Sequence, residues 1–351
     1  AGSSASVTID NGAGLYGTNG SKLENTSSGT INITDSGYGI VGMATGSTPQ
    51  AYGKDAGYLG KTVEIINDGA INVAGNNGIG IFADDNKGVA LNEITVTNSK
   101  PLSLGEGGVG IAVTDSSNSG SGGIITVTGT GSSDIKVGAN GIGIYAQNST
   151  VNLNSNYGIE TKDGGVGIYL TGNSTLPTSS TLEYKYSGSN TGRGMGIIYN
   201  VLNSTNGTNV NLVNSTGTTG GLIGIFANGG GTFTNSGSIT GSSTEKDFGI
   251  ISENTDVNNS GNITLGNASN PNTPNIGIYA KTNNNITNSG NITVGDNAVG
   301  IYGYGVSNSG NITTGSQGTA IYSQGGNINL TSGTVSVGSN SGVGVYTAGN
   351  G

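Results

Sequence analysis

One short motif returns from end to end of this chain and leaves few folds open to it. It is an aliphatic or small residue, Gly, an aliphatic residue and then, most often, an aromatic. The copies begin at Ala13-Gly-Leu-Tyr16 and, in looser form, Tyr38-Gly-Ile-Val41. They continue through Ile79-Gly-Ile-Phe82, Val109-Gly-Ile-Ala112, Ile142-Gly-Ile-Tyr145, Val166-Gly-Ile-Tyr169, Met195-Gly-Ile-Ile198 and Ile223-Gly-Ile-Phe226. The last five are Phe248-Gly-Ile-Ile251, Ile276-Gly-Ile-Tyr279, Val299-Gly-Ile-Tyr302, Thr319-Ala-Ile-Tyr322 and Val343-Gly-Val-Tyr346. The central residues, from Gly14 to Gly344, are 330 positions apart in 12 intervals, a mean of 27.5. The shortest intervals, 20 to 25 residues, set the basic period, and longer ones carry insertions. Self-similarity at such a period is the mark of a stacked repeat architecture.

A second motif, Asn-Ser-Gly-x-Ile-Thr, alternates with the first at Asn235–Thr240, Asn259–Thr264, Asn288–Thr293 and Asn308–Thr313. The unit from Asn285 to Val306 can be read physically. Strict alternation puts Ile286, Ile292, Val294, Val299 and Ile301 on one face and Thr287, Thr293, Gly300 and Tyr302 on the other. Asn288-Ser-Gly and Gly295-Asp-Asn are turn-forming breaks between the apolar runs. Three short strands per period, with no pairing partner inside it, spell one coil of a parallel β-helix. Each coil pairs with the next copy of itself about 4.8 Å along the axis, and thirteen coils would make a rod roughly 60 Å long. A lone coil buries too little apolar surface to offset the entropy of ordering it, so the coils must share a core.

Stacking sets the expected role of each column. The Asn288-type residues should form a ladder of side-chain amides at a coil corner rather than a binding strip. The central Gly should face outward beside the aromatic, with the tyrosine ring lying across it. The whole chain, 1–351, should be one segment with insertions near 44–62, 83–106 and 171–193.

Composition excludes much chemistry. There are 69 Gly in 351 residues, and charged residues make up 9%, against roughly 25% in an ordinary domain. Gly at that level disfavours helix by about 0.8–1.0 kcal/mol per position. The chain has no His and no Cys, which removes His-based triads, thiolate nucleophiles, disulfides and zinc sites. A net charge of −9 disfavours nucleic acid and anionic membranes. No run of about 20 apolar residues is long enough to span a bilayer as a helix. The chain opens without a Met or signal peptide and reads as part of a larger product.

Candidate sites are correspondingly few. Asp84-Asp85 is the one adjacent acidic pair, and Glu245/Asp247 and Glu253/Asp256 are the other close groupings. Asp84 and Asp85, expected in a turn, are read as turn residues rather than catalysts. No EF-hand loop or GGxGxDx repeat is present, so no metal or cofactor is expected. The Gly-x-Gly elements precede strands, not the helix that a nucleotide fingerprint needs. Receptor contacts are sought on the insertions: Tyr52, Lys54 and Tyr58, and Tyr184, Lys185, Tyr186 and Arg193, the one Arg of the chain. The bland reading of Glu183–Tyr186 is a strand whose side chains pack on the scaffold.

Asn308-Ser-Gly-Asn-Ile-Thr313 and Ala298-Val-Gly-Ile-Tyr302 resemble the passenger repeats of type V autotransporters, especially the large fusobacterial outer-membrane adhesins. The resemblance covers nearly the whole chain. It implies a right-handed parallel β-helix exported through a C-terminal outer-membrane barrel, absent from this chain, and displayed at the cell surface. It implies attachment to host cells or other bacteria through protein or glycan receptors. Lack of Cys fits such a passenger, since periplasmic disulfides would hinder export. The readings are therefore a monomeric, non-enzymatic adhesin segment, a purely structural stalk for a distal tip, or a carbohydrate-active β-helix enzyme.

Overall fold

β-branched residues alternating with Thr and Asn, and punctuated by Gly and Asn, can satisfy their backbone groups only by pairing with equivalent strands elsewhere in the chain. The computed structural model describes residues 5–44, 63–85, 94–116, 123–129, 134–154, 156–176, 180–189, 193–214, 221–242, 246–281 and 283–348. Among them there is no helix, and every strand pair is parallel. The fold is an all-β parallel β-helix. It falls into two compact units, Ala1–Thr178 and Ser179–Gly351.

Three sheets line each unit. The tyrosine sheet holds the Gly-Ile-Tyr strands, six in the first unit from Gly12–Thr18 to Val166–Thr171 and seven in the second from Gly194–Asn200 to Val343–Thr347. The threonine sheet holds strands such as Thr30–Ile33 and Ala70–Val73 in the first unit, and Ile263–Leu265 and Ile292–Val294 in the second. The asparagine sheet holds strands ending on Asn: Lys22–Asn25, Glu64–Asn67 and Thr95–Asn98, and in the second unit Thr232–Asn235, Asp256–Asn259, Asn285–Asn288 and Gly305–Asn308. Thirteen repeats thus appear as thirteen tyrosine-sheet strands, three strands to a typical coil.

Aliphatic columns fill the interior. Ile286, Ile292, Val294 and Ile301 are all buried, as are their equivalents Val257, Ile263, Leu265 and Ile278 one coil earlier. The expected alternation fails at one point. Val299 is half-buried while Gly300 and Ile301 are both buried, so two successive residues face in. The register agrees: Val299 pairs with Thr319 and Ile301 with Ile321, with the pair between them skipped. A Cβ on Gly300 would lie 2.7 Å from Ile312 Cγ2 in the core and 2.6 Å from the Ala320 carbonyl oxygen. The central Gly therefore faces inward, contrary to the sequence expectation, because the neighbouring coil and a threonine-sheet Ile occupy its side-chain space. The tyrosines do not cover it; they stack on one another outside.

The Asn-Ser-Gly-Asn turn is bound coil to coil at every residue. Asn206 donates Nδ2–H to Oδ1 of Asn235, Asn235 to Asn259, Asn259 to Asn288 and Asn288 to Asn308, at 2.7–2.8 Å. The second amide proton goes to the carbonyl two residues on, as from Asn259 to Gly261 and from Asn288 to Gly290. The Ser hydroxyl reaches the preceding coil: Ser260 Oγ to the Asn235 carbonyl at 3.2 Å and Ser289 Oγ to that of Asn259 at 3.4 Å. Space beside the Gly is taken by the Gly of the coil before, so a Cβ on Gly290 would overlap the Gly261 carbonyl. The outer Asn accepts from the next coil, Asn262 from Asn291 N at 3.1 Å. The first unit carries the shorter ladder Asn25–Asn67–Asn98. The expected structural ladder is present, and these amides are buried.

Two substitutions test this account. Asn259→Ala removes the acceptor of Asn235 and the donor to Asn288, each worth about 1–3 kcal/mol when left buried and unpaired. Urea unfolding should show a larger loss for it than for Asn308→Ala, which sits at the end of the ladder. Gly290→Ala should cost about 1–3 kcal/mol through overpacking against backbone, seen as a lower midpoint at unchanged m-value.

Candidate functional site

The outer surface of the tyrosine sheet differs from the other two. With Gly and Ile both turned in, the residues before and after them lie on the opposite side of the sheet. There the tyrosines are half-buried or exposed, aliphatics such as Val41, Val166 and Ile276 are buried, and the residues form two columns. In the first unit these are Ala13, Tyr38, Ile79, Val109, Ile142 and Val166, beside Tyr16, Val41, Phe82, Ala112, Tyr145 and Tyr169. The second unit continues the pattern, with Val299 and Thr319 in one column and Tyr279, Tyr302, Tyr322 and Tyr346 in the other. Neither column contains a charge. The outer positions of the threonine sheet are instead polar: Asn72, Lys136 and Glu160 in the first unit, Thr264, Thr293 and Thr313 in the second.

Aromatic contacts order the face. Tyr279, Tyr302, Tyr322 and Tyr346 form a continuous stack with ring centroids 5.2, 4.6 and 5.0 Å apart. In the first unit Tyr145 stacks on Tyr169 at 5.6 Å, and Tyr38 meets Phe82 at 5.9 Å. Partial burial, and secondarily the neighbouring Tyr169 phenol, raises the pKa of Tyr145 above its ordinary value. Arg193 lies over the Phe248 ring, 5.8 Å from its centroid, so the one Arg of the chain joins this face by a cation–π contact.

The receptor-contact residues expected from sequence fare differently from one another. Tyr52, Lys54 and Tyr58 lie outside the described residues. Tyr184 and Tyr186 are fully buried in the strand Thr181–Tyr186, which pairs along its length with Asn209–Asn214. They cannot touch a receptor, and the Tyr186 hydroxyl is used by the Ser189 carbonyl at 2.7 Å. Lys185 points out between them and Arg193 is exposed. The segment expected as a bulge is thus a rung of the threonine sheet. Thr95–Asn98 and Leu102–Leu104, within the insertion expected near 83–106, are likewise regular rungs, while residues 45–62 and 86–93 lie outside the described residues.

The acidic groupings are engaged in coil-to-coil bonding. Asp84 and Asp85 end the strand Ile79–Asp85 rather than lying in a turn, and both are buried. Asp84 Oδ1 accepts from Thr114 Oγ1 at 2.6 Å and its Oδ2 from Ser116 Oγ at 2.9 Å. Asp247 accepts from Leu222 N at 2.9 Å, and Asp134 from Gly158 N at 2.8 Å. Glu253 pairs with Lys281 at 3.6 Å in the open, where such a pair adds little. Asp256 caps Asn285 N at 2.7 Å. Glu245 lies outside the described residues. Among the described residues no group of three or more acidic, His or Cys side chains could hold a metal.

Sequence reading missed the groups that close the asparagine ladders. Asn98, the last amide of the first ladder, donates to the Tyr157 hydroxyl at 3.2 Å. The Tyr199 hydroxyl donates to Oδ1 of Asn206, the first amide of the second, at 2.9 Å. Burial pushes both phenols well above their usual range; for Tyr157 the Asn98 bond lowers it and Asp134 raises it further, by smaller amounts. A Tyr that stands at its strand position in one coil alone carries no periodic signal that could have revealed this.

Compared with protein-family models, with curated proteins and with solved structures, the chain matches none.

The ladder-end tyrosines predict alkaline sensitivity. Their folded pKa values lie above the unfolded value of 10.0, so the unfolded chain ionises first. The stability they contribute is complete below that pH and falls as pH rises beyond it. Tyr199→Phe should weaken the fold near neutrality by about 1–3 kcal/mol. It should also make the loss above pH ~10 shallower, read from urea midpoints across pH.

Proposed function

We propose that this chain is a non-enzymatic segment of a cell-surface adhesin, attaching to host cells or other bacteria through a protein or glycan receptor. The observation that carries this is the aromatic-rich outer face of the tyrosine sheet, whose two columns hold no charged residue in either unit. Tyr supplies large contact area and a hydroxyl at small entropic cost, which suits recognition of amphipathic surfaces. Repetition turns weak contacts into avidity, because neighbouring sites engage as one intramolecular set. Of the expected contact residues, Arg193 is exposed and stands on this same face. Asp84, Asp134 and Asp247 serve as hydrogen-bond acceptors between coils, which favours a structural over an acid–base role for them. The repeat resemblance supports surface display, anchored through a barrel elsewhere in the full-length protein.

Binding of labelled chain to epithelial cells, to other bacteria and to immobilised glycans tests the proposal. Tyr302→Ser with Tyr322→Ser should lower attachment at least several-fold, since each lost hot-spot aromatic typically costs more than ~1 kcal/mol. Thr264→Ala with Thr293→Ala, on the threonine sheet, should leave it unchanged. Equal attachment by all three proteins would remove the tyrosine face from the account, and no attachment by any would leave the stalk role.

A further inference from the structure

The four tyrosines stacked in the second unit come from four successive coils, whose strands pair in register. Tyr302 and Tyr322 are the closest pair, with centroids 4.6 Å apart and planes inclined by 4°. Both are half-exposed, so an oxidant in solution can reach them. The chain holds no Cys or Trp and only two Met, so its 15 tyrosines are the main side chains that can take up an oxidising equivalent.

We propose that Tyr302 and Tyr322 form a site of oxidative cross-linking, in which a peroxidase-class oxidant with hydrogen peroxide joins the two rings as o,o′-dityrosine. Each phenol gives up one electron and one proton, and the two hydrogens reduce one peroxide to two waters. The resulting phenoxyl radicals carry spin on the carbons ortho to oxygen. Parallel rings at equivalent positions of adjacent coils place like ortho carbons at about the centroid spacing, 4.6 Å. One carbon–carbon bond forms between two of them. The hydrogen on each bonded carbon then moves, as a proton, to the oxygen of the same ring and restores both phenols. The net change is loss of two hydrogens and one new bond between consecutive coils.

The bond would join coils that otherwise separate on unfolding, so it constrains the unfolded chain as any cross-link does. Tyr279–Tyr302 and Tyr322–Tyr346, inclined by 17° and 25°, and Tyr145–Tyr169, at 5.6 Å, are less well disposed. The reaction should therefore concentrate at the central pair.

The test is to treat dilute folded chain with peroxidase and hydrogen peroxide and to follow dityrosine fluorescence and intact mass. Expected are a monomer lighter by two hydrogens, a raised melting temperature, and chymotryptic peptides linking Tyr302 to Tyr322. Tyr304 lies between them, so cleavage there separates the two unless they are joined. Tyr302→Phe keeps the ring stack and should lose this linkage, while Tyr38→Phe should not. Dityrosine found only between chains would overturn the proposal. So would linkage spread evenly over other tyrosines, or unchanged product in a Tyr302→Phe, Tyr322→Phe double variant whose circular dichroism matches the parent.

Discussion

Parallel pairing of each strand with its own equivalent, one coil away, is the constraint on which the rest of this structure depends. It fixes the distance between like side chains at about 4.8 Å and so decides what a column can be made of. A carboxylate or ammonium column would meet its own charge at every rung, which is destabilising. Asn can bond to Asn, because an amide has a donor on one side and an acceptor on the other. Tyr can stack on Tyr, and Ile can pack on Ile. The low charge and the abundance of Asn, Thr, Tyr and Ile follow from that single spacing.

The same constraint separates the three outer surfaces by the residue that each turn forces. In the tyrosine sheet the Gly faces in because the carbonyl of the next coil and a core Ile crowd it. Two consecutive inward residues then move the outward positions apart and make them the flanking aliphatic and the aromatic. In the Asn-Ser-Gly-Asn turn the Gly is required for a different reason, since its neighbour on the previous coil is backbone. Both glycines are matters of close approach, and neither depends on a left-handed conformation.

Much of this was legible in the residues. The period gave the number of coils, the apolar runs gave three strands, and the amide column could be assigned from its spacing. What escaped was local. Alternation at period two predicted an inward Val299 and an outward Gly300, whereas the strand skips a pair there, so these two are reversed while Ile301 and Tyr302 keep their expected faces. Tyr184 and Tyr186 looked like contact residues because a buried Tyr and an exposed one have the same letter, and only the pairing of Thr181–Tyr186 with Asn209–Asn214 turns them inward. Asp84 and Asp85 read as turn residues because Asp is common there, but the strand runs two residues further than its apolar stretch. Tyr157 and Tyr199 lie in strands of the repeat, Asn156–Thr161 and Gly194–Asn200, but Tyr recurs at neither position in neighbouring coils, so periodicity was blind to them.

The amide ladders also have a direction: every donor points toward the later coil, from Asn25 to Asn98 and from Asn206 to Asn308. Opposite ends therefore need opposite partners, and a phenol can serve at either, accepting from Asn98 and donating to Asn206. Between the ends, each coil consumes one bond and supplies one. A gene that duplicates or loses a whole coil leaves no orphaned group behind, whatever the count, whereas a ladder of alternating charges would tolerate changes only in pairs. Length in such a chain is free to drift by single units.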